Sequence, residues 1–129
     1  MSSRYIFVYG TLKKGERAHS YLEKAYYIGE GEIEGFCLYD LGEYPGIKRC
    51  NGKVKGEVYL VDENTLKILD EYEGKDYKRI EVEVKMKNGR KIKAWCYEYL
   101  GEVKEENRIL NDQWKSSKNN KEEVVTMEK

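Results

Sequence analysis

The residue in this chain best placed to move a proton is Glu73. It lies in the run "DENTLKILDEYEG", Asp62–Gly74. Asp62 is a suitable N-cap and Gly74 a suitable αL stop, so the run predicts a helix. In that helix Leu66, Leu69 and Glu73 fall at i, i+3 and i+7 and share one face, the apolar one. Glu73 also sits in the last turn, where the helix dipole disfavours a carboxylate by about 0.3–1 kcal/mol. Burial and the dipole both favour the protonated form and both raise the pKa. A glutamate poised near neutrality can serve as general base and then general acid. Its acidic neighbours are weaker candidates: Glu63 lies in the favourable first turn, Glu71 is off the apolar face, and Asp70 borders it. The competing reading is a solvated surface charge, the ordinary state of a helical glutamate.

A second place where chemistry could occur is "FVYGTLKKGER", Phe7–Arg17. An apolar run ends there in a glycine, a threonine, two lysines and a second glycine. The G-x-x-x-x-G spacing opens a phosphate-binding P-loop, but that motif then needs Lys and Ser or Thr. This chain has Glu16 and Arg17 instead, so the P-loop is rejected. What remains is a strand end from which several backbone N–H groups can face a cavity. Such an array binds an anion, a carboxylate as readily as a phosphate. An ordinary strand-to-helix turn would show the same spacing.

Other candidates carry less. His19 is the single histidine and stands on the polar side of a short helical segment. One histidine with scattered cysteines does not make a zinc site of the usual ligand number, and no nucleophile signature surrounds it. No metal and no cofactor is therefore expected. Cys37, Cys50 and Cys96 are an odd number at wide spacing. They suggest no disulfide framework, and Cys37 and Cys96 read as core residues. Tyr97 and Tyr99 read first as packing and second as pocket lining.

These residues need elements to hold them. "YIFVY", Tyr5–Tyr9, predicts a buried strand closed by Gly10. Glu16–Ala25 predicts a short helix, with Ala18, Tyr21, Leu22 and Ala25 on one side. Gly31–Leu41 alternates as a strand, with Gly35 as a bulge. The segment "GEYPG" turns around the one proline, Pro45. Asn51-Gly52 and Asn88-Gly89 each suit a type I′ hairpin turn. Around the second, Ile80, Val82, Val84 and Met86 alternate with charges, as do Ile92, Ala94 and Cys96. Trp95, Tyr97 and Tyr99 occupy the opposite face, which predicts a strand covered on both sides. The order is strand, helix, strands, helix, hairpin: an α+β chain with mainly antiparallel pairing. Residues 1–114 read as one domain and residues 115–129 as a polar, mobile tail.

Composition narrows the partners. The chain has 129 residues, enough for one core, with 24 basic and 24 acidic side chains. That balance argues against nucleic acid, which selects for a basic excess. The opening "MSSRYIFVYG" has no apolar signal core, and no apolar run approaches the ~20 residues of a membrane span. A soluble, cytoplasmic protein is expected. The absence of coiled-coil heptads suggests a monomer or weak homodimer.

Five segments, in order, resemble the γ-glutamylcyclotransferase-like superfamily, and most closely its γ-glutamylamine cyclotransferase-like branch. They are "FVYGTLKKG" at Phe7–Gly15, "EYPG" at Glu43–Gly46, "VKGEVYLVDE" at Val54–Glu63, "LDEYEGKDYKR" at Leu69–Arg79 and "AWCYEY" at Ala94–Tyr99. The resemblance implies a small, mostly antiparallel, partly open β-barrel with short flanking helices and a pocket at one end. It implies that Tyr9, Gly10, Thr11 and Leu12 bind the α-carboxylate of a γ-glutamyl group through backbone N–H. It implies that Glu73 is the catalytic acid/base, and that Tyr77 lines the pocket. The implied reaction releases 5-oxoproline from a γ-glutamyl amine or amino acid without a cofactor. The same pocket could instead serve a carboxylate-binding module or a hydrolase of γ-glutamyl amides, because a fold does not fix its function.

Overall fold

The computed structural model describes residues 4–116. Five strands form a closed barrel in the order β1-β3-β2-β4-β5. They are β1 (Tyr5–Val8), β2 (Tyr26–Asp40), β3 (Pro45–Leu60), β4 (Tyr77–Met86) and β5 (Lys91–Tyr99), with one α-helix, α1 (Glu63–Glu73), between β3 and β4. All pairings are antiparallel except β1 with β5, which meet in parallel at Ile6 and Trp95. The expected partly open barrel is thus closed. One closing seam, β2 with β4, holds through only Gly31–Met86 and Glu32–Lys85.

The apolar pattern explains the layering. In β1, Phe7 joins Ile33, Leu38, Ile47, Val54, Val84 and Cys96 in one buried cluster, the barrel interior. Ile6 and Val8 point the other way, to Tyr59, Leu66, Leu69 and Tyr97, between the barrel wall and α1. A strand buried on both faces must read as a continuous apolar run, and "YIFV" does. The helix starts as expected, with the Asp62 carboxylate accepting from the Thr65 N–H at 2.7 Å. It stops at Gly74, with φ +73 and ψ −163 rather than αL values. That backbone combination is open to glycine alone.

Several local expectations yield to tertiary pairing. The helix over Glu16–Ala25 is only a 3-10 turn, His19–Leu22. Ala18 and Leu22 are buried there, but Tyr21 is exposed. Asn51-Gly52 is not a hairpin turn, because β3 runs straight through it. It lies opposite the Gly35 bulge, between the pairs Glu34–Lys53 and Phe36–Arg49. The β2–β3 hairpin turns instead at Leu41–Tyr44, where the Leu41 N–H donates to the Tyr44 carbonyl. The Asn88-Gly89 hairpin is present, with a different turn. Only Gly89 has positive φ, the Gly89 N–H donates to Met86 O, and the Met86 N–H donates to Arg90 O. This is a type I turn followed by a glycine bulge, the usual three-residue loop.

Cys37 and Cys50 form a disulfide across the same bulge, which corrects the reading of the cysteines as unpaired. Cys96 alone is free, and buried. Of the residues read as a tail, Ser116 donates its N–H to the Glu16 carboxylate and Lys115 is also described; the remainder lies outside the described residues. Trp114 is buried in the barrel core, and the Lys13 ammonium donates to its carbonyl.

Candidate active site

A cavity of about 300 Å³ opens between the end of β1, the end of α1 and the start of β3. The turn after β1 forms one wall. Gly10, Thr11 and Leu12 are buried there and lie outside every strand. Their backbone N–H groups donate to no acceptor among the described residues. Unpaired buried N–H groups are costly unless a ligand or water takes them. The turn closes on itself through the Lys13 N–H, which donates to Gly10 O, and through the Ala18 N–H, which donates to Thr11 O. Gly10 has no substitute in this packing. A β-carbon there would stand 2.6 Å from Cγ of Pro45. The "YGTL" turn and the "EYPG" turn therefore lock together, although 35 residues separate Gly10 from Pro45.

Glu73 lines the same cavity. The helix phase read from Leu66 and Leu69 is the observed one, and both leucines are buried. The Glu73 carboxyl makes no hydrogen bond or ion pair among the described residues. Burial alone raises its pKa from 4.5 to about 7. Four tyrosines, Tyr9, Tyr72, Tyr77 and Tyr97, line the same cavity, and no cation pairs with its carboxyl among the described residues. Burial and the neighbouring Glu73 charge push the Tyr77 hydroxyl far up, so it stays protonated and can only donate or share its proton.

Each tyrosine has a defined role in the wall. Thr11 Oγ1 and the Tyr72 hydroxyl share a hydrogen bond of 2.7 Å, tying the turn to the last turn of α1. The Tyr77 hydroxyl donates to Pro45 O at 2.7 Å and holds the second turn. The Tyr9 hydroxyl donates to Tyr97 O at 2.7 Å, tying the end of β1 to the neighbouring strand β5. The Tyr97 hydroxyl donates to Asp70, which also pairs with Arg79 at 3.0 Å. Asp70 is thereby engaged outside the cavity, which leaves Glu73 as its half-buried, unpartnered acid, with Asp76 exposed. All six residues singled out from the sequence line this one cavity: Tyr9, Gly10, Thr11, Leu12, Glu73 and Tyr77. His19 does not; its Nδ1 lies 2.9 Å from Leu12 O, against the back of the turn. Among the described residues no cluster of His, Cys, Asp or Glu could hold a metal ion.

Buried N–H donors that share a cavity with a carboxyl raised to neutral pH suit an anionic substrate that must lose and regain protons. The family model for γ-glutamyl cyclotransferase, AIG2-like, matches residues 6–116. The chain belongs to this γ-glutamyl cyclotransferase, AIG2-like family. A Vibrio cholerae relative, provisionally named a γ-glutamylcyclotransferase, is 43% identical over 97 residues, covering 73% of this chain and 80% of the relative. The Escherichia coli γ-glutamylcyclotransferase family protein YtfP is 34% identical over 111 residues, covering 84% and 94%. Among solved structures, an uncharacterised Pyrococcus horikoshii protein superposes with a TM-score of 0.77 at 35% identity, covering 95% of this chain and 98% of that one. A mouse AIG2-like protein gives 0.77 at 26% identity, covering 89% and 90%.

Some of the wall was not singled out from the sequence. Tyr44, Tyr72, Arg17 and Asp76 also line the cavity. Tyr72 was detectable in principle, since it follows the i, i+3 phase from Leu69. Arg17 lies in irregular backbone and Asp76 in a 3-10 turn of three residues, Gly74–Asp76, too short for periodicity to mark a direction. Tyr97 is a wall residue, the secondary reading of its stripe.

Proposed function

We propose that this protein releases 5-oxoproline from a γ-glutamyl amine or γ-glutamyl amino acid by intramolecular aminolysis. The reading is supported above all by one cavity that holds both N–H donors with no acceptor among the described residues and the unpartnered, near-neutral Glu73. The substrate's α-carboxylate docks on the N–H groups of the Tyr9–Leu12 turn. Its α-ammonium then lies toward Glu73, which takes a proton from it. The freed amine attacks the γ-carbonyl, a carbon–nitrogen bond forms, and a five-membered ring closes. The bond to the leaving nitrogen then breaks. Two protons leave the α-nitrogen and two reach the departing amine, so Glu73 returns to its carboxylate form within each turnover.

The reacting groups are already in one molecule. The work of the site is to hold the chain curled, which an ordered wall of tyrosines does without a nucleophilic side chain. A base at about 7 is matched to proton traffic at neutral pH. The test is chromatography for 5-oxoproline after incubation with a panel of γ-glutamyl amines and amino acids, with Glu73→Gln alongside. Product from the wild type and at least a hundredfold less from the variant supports the reading, given the ~10²–10⁴-fold contribution usual for such a group. Free glutamate in place of 5-oxoproline would make the protein a hydrolase. Binding without product would make it a carboxylate-binding module.

A further inference from the structure

The cavity has one cation on its wall, Arg17, and the α-carboxylate of a γ-glutamyl group does not need it. That carboxylate is served by the backbone donors of the buried turn, while Arg17 is exposed. The depth order is therefore fixed: Gly10–Leu12 inside, Glu73 half-buried, Arg17 and Asp76 at the mouth. In a curled γ-glutamyl substrate the α-groups face the interior wall, and the γ-amide substituent faces the mouth. That substituent is the group that departs.

Arg17 is also held ready. Its guanidinium donates to the Glu43 carbonyl at 2.8 Å, which anchors it to the turn before Pro45. A guanidinium carries five donors, so four remain for a ligand. Arg17 forms no ion pair among the described residues. The other mouth charge is Asp76, whose carboxylate is likewise unpaired and does not come within 4.0 Å of Arg17. The two charges stay separate rather than cancelling.

Resting on the cyclotransferase reading, we infer that Arg17 selects the leaving group by binding a carboxylate on it. The preferred substrates are γ-glutamyl amino acids rather than γ-glutamyl derivatives of simple alkylamines. A planar guanidinium matches a carboxylate through two parallel hydrogen bonds, which a simple amine cannot supply.

The experiment compares γ-glutamyl-alanine with γ-glutamyl-ethylamide, which differ only by that carboxylate. The readout is the ratio of their kcat/KM values in the wild type, Arg17→Met and Arg17→Lys. Arg17→Met should lower the ratio by about tenfold, the scale of one charge-assisted hydrogen bond at a solvated mouth, with Lys between the two. Any disturbance of the Glu43 turn acts on both compounds and divides out. Asp76→Asn should raise the ratio, because it removes a repelling charge. The same ratio is measured as binding constants by calorimetry in Glu73→Gln, with and without Arg17→Met. A binding ratio that responds to Arg17 while the wild type makes no 5-oxoproline keeps the inference and removes the cyclotransferase reading. A ratio unmoved by Arg17→Met overturns the inference whatever the activity. Failure of both compounds to bind overturns both.

Discussion

The elevated pKa of Glu73 has a consequence for folding that can be measured without a substrate. Below about pH 4.5 its carboxyl is protonated in both the folded and the unfolded chain, so it costs nothing. As pH rises from 4.5 toward about 7, the unfolded chain ionises and the folded one does not. Each pH unit in that interval favours unfolding. Above about 7 both forms are ionised and the full penalty remains. Holding a carboxyl at about 7 instead of 4.5 corresponds to roughly 3 kcal/mol at ~1.4 kcal/mol per pH unit. Water entering through the cavity mouth screens part of this, so about 2–3 kcal/mol is the working figure.

Glu73→Gln retains the shape and removes the titration. The stability difference, variant minus wild type, should therefore be smallest near pH 4.5 and grow by about 2–3 kcal/mol by pH 8. In thermal unfolding that is an added gain of about 10 °C for the variant at pH 8. Any pH-independent cost of burying the amide shifts the whole difference and leaves its slope untouched. The assay is paired urea and thermal unfolding from pH 4.5 to 8.5 at fixed ionic strength. A difference that stays flat across this range would refute the burial argument for Glu73, and with it the assignment of this residue as a base tuned to neutral pH.

Other perturbations test the walls. In the wild type, kcat/KM for 5-oxoproline formation should fall as pH drops through about 7, since protonated Glu73 cannot accept a proton; a profile flat from pH 6 to 8 would contradict this. Gly10→Ala drives a methyl into Pro45 and should cost about 1–3 kcal/mol of stability, together with loss of γ-glutamyl ligand binding, as read by urea unfolding and calorimetry. Tyr77→Phe strands the Pro45 carbonyl and should cost about 1 kcal/mol while raising KM, checked by denaturation and steady-state kinetics. Cys50→Ser opens the 13-residue span to Cys37 and should lower stability by about 2–3 kcal/mol with the Glu73 pH profile unchanged; an unchanged urea midpoint would show that the link contributes nothing.

What the sequence disclosed and what it hid divide along a physical line. Glu73 was legible because helical phase is a local property, and Leu69 and Leu66 reveal the buried side four and seven residues away. The β4–β5 hairpin was legible for the same reason, through its period of two. Asn51-Gly52 misled because its turn preference is worth little beside the long β2–β3 ladder, whose register runs on both sides of it. The Cys37–Cys50 link was hidden because it depends on that ladder and not on spacing. The need for glycine at position 10 depends on Pro45, and the setting of Pro45 depends on the Tyr77 hydroxyl. No local pattern carries either fact. The residues proposed to hold the common part of a γ-glutamyl substrate thus stand at or just past the ends of regular elements, where the patterns of those elements point to them. Arg17 stands in irregular backbone and Asp76 in a single 3-10 turn, Gly74–Asp76, and both are exposed. A side chain proposed to distinguish one leaving group from another is for that reason of the kind that a sequence pattern exposes least, and it must be read from geometry and charge.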